Sequence, residues 1–176
     1  TAGAVAGTKD FTDRVRHVAV AVGATLDPAA AFLLSRGIRT LDVRVRATCD
    51  NAMKLAHALT GHPKVARVYY PGLPDDPGHE LAKRQMGAFG GIVAIDLVGG
   101  EVQAEKLFDS LQLVKTAPSL GGVETLVSYP VYSSHAGFSA EQLRAAGVSP
   151  ATVRFAVGIE GADDIIADVI QALDKS

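Results

Sequence analysis

From Pro63 onward the chain is cut by paired glycines and prolines into short segments of alternating character, and no other feature restricts its fold as strongly. Positions 65–70 form a mostly apolar run that Pro71-Gly72 closes. Gly90-Gly91 opens a second run, 92–98, and Gly99-Gly100 ends it, so strand punctuation stands on both sides. Between the two lies a turn-rich passage with Pro74, Pro77 and Gly78, followed by a short helix over 80–86. Ala104, Leu107, Phe108 and Leu111 recur at helical spacing and predict a helix over 101–111. Segments 113–115 and 123–127 predict two further strands, flanking a glycine-rich stretch from Thr116 to Gly122. Positions 152–158 alternate as a strand, and 163–173 read as an amphipathic helix with Asp163 and Asp164 at its positive N-terminal end. Strands interleaved with helices give an α/β architecture of modest size.

The first third reads differently. Asp27-Pro28 is an N-cap followed by proline at the first helical position, and Ala29, Phe32 and Leu33 continue at helical spacing. Apolar positions run on through Ile38, Leu41, Val45, Leu55 and Leu59 to a stop at Gly61 and Pro63. The reading is one long helical segment, kinked near Gly37, that bridges two regions, with a domain boundary there: 1–36 and 37–176. Residues 1–7, small and apolar, suit a buried strand or its connecting loop, and no internal repeat is visible.

A net charge of -2 with 48% hydrophobic residues excludes a disordered or nucleic-acid-wrapping tail. Arg14, Arg16 and His17, and Arg36, Arg39, Arg44 and Arg46, are read as solvated helix faces. Charged residues, glycine or proline interrupt every apolar run well short of the roughly 20 residues a membrane span needs. Cys49 stands alone, is read as a small buried or half-buried hydrophobe, and fits a reducing cytoplasm; the histidines are scattered without metal-ligand spacing. The opening residues lack a charged region and an initiating Met, so they make a poor signal peptide and read as cut from a longer chain or processed.

Few side chains call for chemistry. The stretch 117–122 matches neither phosphate-loop pattern, and its glycines are read as permitting a sharp turn. Arg154 stands in the middle of an apolar strand, where a guanidinium needs a partner: a bound carboxylate or phosphate, or a structural ion pair with Glu160 or Glu124. His135 has no fixed carboxylate beside it and is read as a surface or packing residue. Of the acidic residues at 160–164, two suit a helix N-terminus without any metal.

Five ordered strings carry a resemblance over the whole chain: Gly37-Ile38-Arg39-Thr40-Leu41, Tyr70-Pro71-Gly72-Leu73, His79-Glu80-Leu81-Ala82-Lys83-Arg84-Gln85-Met86, Ser119-Leu120-Gly121-Gly122-Val123-Glu124-Thr125-Leu126, and Arg154-Phe155-Ala156-Val157-Gly158-Ile159-Glu160. Together they resemble the C-terminal part of the pyridoxal 5'-phosphate (PLP) enzymes of cysteine and methionine metabolism, the cystathionine γ-synthase, cystathionine γ-lyase and methionine γ-lyase group. The resemblance implies a fold-type I architecture. Residues 1–36 would end the large cofactor domain and begin the linking helix, and 37–176 would form a small α/β substrate domain with a mainly antiparallel sheet.

The same resemblance implies a Schiff-base lysine upstream of residue 1. None of the seven lysines here fits that role, since Lys9 sits in Gly7-Thr8-Lys9 and not in the family's Ser-x-Thr-Lys. The chain alone is therefore expected to be inactive, with the cofactor held mainly by the N-terminal part of the enzyme. Arg154 matches the arginine that binds the substrate α-carboxylate. Ser119, with Leu120 beside it, matches the loop serine that meets the same group, and Ser134 a hydroxyl near the distal part of the substrate. Pro118 stands where many cystathionine-processing enzymes carry Glu and the methionine lyases an apolar residue; a proline there is similar to plant-type synthases and removes a carboxylate that could greet a distal ammonium. Near Gly23-Ala24 the Lys-Asp pair of a methionine lyase is replaced by Ala21-Val22. The implied partners are a small sulfur amino acid, the enzyme's N-terminal part and further copies in a tetramer, with no nucleic acid and no membrane. A stand-alone, non-enzymatic domain of the same fold remains the competing reading.

Overall fold

The computed structural model describes residues 2–176, which fold as two compact units, one ending at Val43 and the other spanning Arg44–Ser176. In the first unit, residues 2–7 take the loop alternative and are exposed; Thr1, which belongs to the same expected segment, lies outside the described residues. Helix α1 (Lys9–Ala21) follows; the sequence placed Arg14, Arg16 and His17 on a helix face without delimiting the helix. Its signals were local: the Thr8 hydroxyl accepts from the Phe11 N–H as N-cap, and Lys9 with Asp13 and Arg14 with Asp10 form pairs one turn apart. Helix α2 (Pro28–Ile38) starts as expected, Asp27 accepting from the N–H groups of Ala29 and Ala30 at 2.9 and 3.1 Å.

The single long helix does not form. The chain breaks at Arg39 and Thr40, two residues after Gly37, and resumes as α3 (Leu41–Leu59). Thr40 precedes Leu41, and threonine favours the N-cap position over a helix interior, because its β-branch and hydroxyl compete with the helical conformation.

The second unit is built on a five-stranded sheet: β1 (Val65–Tyr69), β2 (Ile92–Leu97), β3 (Lys115–Thr116), β4 (Leu126–Ser128) and β5 (Thr152–Ala156), in the spatial order β1-β2-β5-β4-β3. All neighbours are antiparallel except β3 and β4, which run parallel. The α/β reading with a mainly antiparallel sheet therefore stands. Strands β3 and β4 are shorter and later than expected, because the Leu113 and Val114 N–H groups donate to the Asp168 carboxylate and the Val123 carbonyl accepts from Ile159 outside the ladder. Helices α4 (His79–Gln85), α5 (Gly100–Ser110) and α7 (Ala162–Lys175) match the expected segments. Helix α6 (Ala140–Ala145) was not anticipated, although Ser139 and Gln142 form a capping box.

Period-two alternation sorts the sheet's faces. Val93, Ile95, Val127, Val153 and Phe155 point into a core completed by Leu55 and Leu59 of α3, Leu107 of α5 and Ile165, Val169 and Leu173 of α7. Burying such a side chain contributes roughly 1.5–3 kcal/mol each. Polar groups buried at the core's edges have partners. Tyr70 donates to the Gly90 carbonyl at 2.9 Å, and burial pushes its phenol up to about 12. Cys49 is buried, as expected. The opposite face carries Ala94, Asp96, Ser128, Thr152 and Arg154 by register, and the site lies there.

Candidate functional site

Arg154 is the central residue of the central strand, paired with Ala94 on β2 and Ser128 on β4. Both neighbours are small, so the guanidinium has room on the face away from the helices. One Nη2–H donates to the Ser119 carbonyl oxygen at 2.9 Å, while the Nε–H is buried and has no hydrogen-bond partner. The structural ion pair that competed with a binding role is not formed among the described residues. Glu160 instead accepts from the Thr125 N–H at 2.5 Å and from the Thr125 hydroxyl at 2.7 Å. A positive fork with an unsatisfied buried donor, fixed at one corner by a carbonyl, is suited to a planar anion.

The loop at 117–125 is held close to Arg154 by backbone bonds at both ends: Ala117 N–H to Val127 O at 3.0 Å and Ile159 N–H to Val123 O at 2.8 Å. Gly158 permits this approach, since a Cβ there would run into the Val123 carbonyl and stand 2.6 Å from the Glu124 backbone carbon. Gly121 turns the loop at φ +77°, a conformation glycine adopts without strain. Asn51 donates to the carbonyls of Gly158 and Glu160 at 3.2 and 2.8 Å, so α3 anchors the same corner.

Of the residues singled out in sequence, Arg154 and Ser134 line one cleft of about 270 Å³, together with Tyr69, Ala94, His135 and Thr152. Ser119 reaches Arg154 through its carbonyl, whereas Pro118 and Leu120 are exposed and do not line the cleft. His135, set aside in sequence, is part of the wall; its Nδ1 lies 2.9 Å from the Ser134 hydroxyl and its ring packs edge-on against Phe138. A larger recess of about 350 Å³ lies beside β1, lined by His57, Arg67, Asp75 and Asp76 among others, and none of the singled-out residues reaches it.

Sequence reading missed a hydroxyl cluster beside the cleft. Asp96 accepts from the Tyr69 hydroxyl at 2.6 Å, from Thr152 Oγ1 at 2.5 Å and from Ser149 Oγ at 3.1 Å. Burial first, and the Asp96 carboxylate next, raise the Tyr69 phenol above its ordinary range, while the Arg67 guanidinium stacks on the ring at 4.5 Å. Alternate Tyr, Asp and Thr positions on adjacent strands were the only available signal, and it required the register to be read.

No lysine lines the cleft, and among the described residues no group of three or more His, Cys, Asp or Glu is placed to hold a metal. The cleft therefore presents a guanidinium with a free buried donor but no lysine amine. Among the described residues no helix is long and apolar enough to cross a membrane.

Three comparisons agree on ancestry. Residues 1–174 match the family described as Cys/Met metabolism PLP-dependent enzyme. The L-methionine gamma-lyase of Fusobacterium nucleatum subsp. polymorphum is 41% identical over 176 residues, 99% of this chain and 45% of its own length. Cystathionine gamma-synthase 1, chloroplastic, of Arabidopsis thaliana is 41% identical over 173 residues, 98% of this chain and 31% of its own length. In structure, the cystathionine gamma synthase of Xanthomonas oryzae pv. oryzae, solved with aminoacrylate and cysteine, superposes with a TM-score of 0.91 at 41% identity, covering 97% of this chain and 44% of that one. The chain spans less than half the length of the relatives it matches, and corresponds to their C-terminal portion. A family match over residues 1–174, and likeness to these enzymes along nearly all of this chain's length, show that the chain belongs to the Cys/Met metabolism PLP-dependent enzyme family.

Proposed function

We propose that this chain is the substrate-domain part of a PLP-dependent enzyme acting on sulfur amino acids, cystathionine γ-synthase- or γ-lyase-like, by elimination or replacement at Cβ or Cγ. One observation carries the reading: a mid-strand arginine on an open sheet face with no carboxylate partner among the described residues and a buried, unsatisfied Nε–H. Arg154 takes the amino acid's α-carboxylate, and the Ser119 carbonyl keeps its fork from rotating. Ser119, with Leu120 beside it, closes over the same carboxylate, Ser134 faces the distal part of the substrate, and Pro118 leaves the loop without an acidic group there. When bound, PLP supplies the electron sink for charge developing at the α-carbon. This chain binds and orients, and the N-terminal part of the enzyme holds the cofactor and supplies the lysine. Residues 1–36 belong with that part, 37–176 form the substrate domain, and the complete enzyme is a cytoplasmic homotetramer inactive without both parts.

The test is Arg154→Ala in the complete enzyme. Losing a charge-assisted pair of about 1.5–3 kcal/mol should raise KM for amino-acid substrates by roughly 10- to 150-fold. An unchanged KM for every amino acid tested overturns the assignment.

A second reading, methionine γ-lyase, is favoured by relatives of that name at 41% and 43% identity. Thiol release from methionine alone would support it. A requirement for an added thiol or amino acid would support the synthase.

A further inference from the structure

Asp96 does not line the cleft, yet it ties three of the cleft's boundaries together. Tyr69 ends the edge strand and lines the cleft; Thr152 lies two residues before Arg154 and also lines it. Ser149 sits in the segment that returns to β5 from the 133–148 loop, whose Ser134, His135 and Val148 cover the cleft. Each donates its hydroxyl to the one carboxylate. Register places Tyr69, Ala94 and Arg154 in one row on the same face, so Tyr69 and Arg154 stand two strand spacings apart, about 10 Å, with only the Ala94 methyl between them. The Arg67 guanidinium stacks on the Tyr69 ring at 4.5 Å, and the Tyr129 hydroxyl donates to the Pro150 carbonyl, a further tie on the returning segment.

We propose that Asp96 is a positioning residue that, through Tyr69, Thr152 and Ser149, sets the width of the cleft beside Arg154 and so determines which amino-acid side chains the site accepts by length. The inference rests on the reading that Arg154 holds the α-carboxylate. With the carboxylate anchored at one end of the row, the side chain extends across Ala94 toward a Tyr69 ring that cannot swing. Length, more than charge, is what such a wall measures, because the acidic group behind it is already occupied by three hydroxyls.

The experiment uses the complete enzyme and a series from S-methyl- to S-butyl-L-cysteine, in which the eliminated thiolate changes in length but hardly in chemistry. The wild type should show a steep dependence of kcat/KM on chain length. Asp96→Ala should flatten it, the ratio of best to worst substrate falling about fivefold, with the change in KM and kcat within about twofold. Asp96→Asn should keep the wild-type profile, since the amide oxygen still accepts from Ser149 and Thr152 and the amide N–H can donate to the Tyr69 oxygen. Should Asp96→Ala not fold, Tyr69→Phe removes one arm of the network and should flatten the profile in the same sense. A wild type indifferent to length, an unaltered profile in Asp96→Ala, or an equal loss of kcat for every substrate overturns the proposal. Arg154→Ala run alongside separates the two readings, because it should raise KM for the whole series alike. If it does not, the carboxylate assignment fails whatever Asp96 does.

Discussion

Replacing Asp168 should destabilise the second unit by an amount its surroundings allow one to work out. Its Oδ1 accepts from the Gln112 N–H at 2.9 Å and from Gln171 Nε2 at 3.1 Å, and its Oδ2 from the Leu113 and Val114 N–H groups at 2.9 Å each. One side chain of α7 thus caps the turn that leads into β3 and on to the loop carrying Ser119. Asp168→Ala leaves three N–H groups without an acceptor. Val114 is buried, so its donor bears a desolvation cost of about 1–3 kcal/mol, whereas the less buried Gln112 and Leu113 donors can recover water at about 0.5–1 kcal/mol each. The expected loss at pH 7 is therefore about 3 kcal/mol. Asp168→Asn should lose less, since one oxygen can still serve two donors.

The pH dependence has a definite sign. Burial pushes the Asp168 carboxyl up, but the three backbone donors and Gln171 outweigh it and hold the group below its ordinary value. A depressed folded pKa contributes stability that is present above the unfolded value, about 3.9, and is lost as pH falls through the folded one. Urea unfolding of wild type and Asp168→Ala at pH 7 and at successively lower pH should show the gap between them narrowing below about pH 4. Equal stability at pH 7, or a gap that widens on acidification, would refute the reasoning.

Gly158→Ala forces a methyl into the Val123 carbonyl, and overpacking against rigid backbone should cost about 1–3 kcal/mol, read as a lower urea midpoint; a neutral result would mean that the 117–125 loop yields freely. Alkaline titration followed by tyrosine absorbance should show Tyr70 and Tyr129 still protonated at pH 11, as burial pushes both up to about 12, and Tyr69 and Tyr132 shifted in the same direction. Raised phenol values stabilise the fold below pH 10 and lose that contribution as pH rises towards 12, so stability should fall through this window, and a midpoint at 10 for Tyr70 and Tyr129 would contradict the burial.

Much of the architecture was legible because its signals are local. Glycine pairs around 92–98, the apolar stripe of 101–111 and the Asp27-Pro28 start all act within a few residues, and β2, α5 and the start of α2 formed within two residues of expectation. The helix from Pro28 to Leu59 misled because apolar periodicity continues across Arg39 and Thr40 while the backbone does not. Helix α6 was overlooked and the bounds of α1 were not drawn, although Ser139 and Thr8 announce them, since the caps stand in stretches without a long apolar stripe.

By itself the sequence determined the α/β class, the placement of β1, β2 and β5 and the presence of a charged residue at the middle of β5, since propensity, punctuation and period-two alternation depend on neighbours along the chain. Partnership was decided only by the tertiary structure. Ser119 meets Arg154 across 35 positions, Glu160 turns to Thr125 instead of Arg154, Asp168 reaches across 54 to 56 positions to the turn before β3, and Asp96 gathers three hydroxyls from β1, β5 and a returning loop. Such pairings depend on strand register and on how α7 packs against the sheet. Those are set by burial of the whole core, which no local stretch encodes.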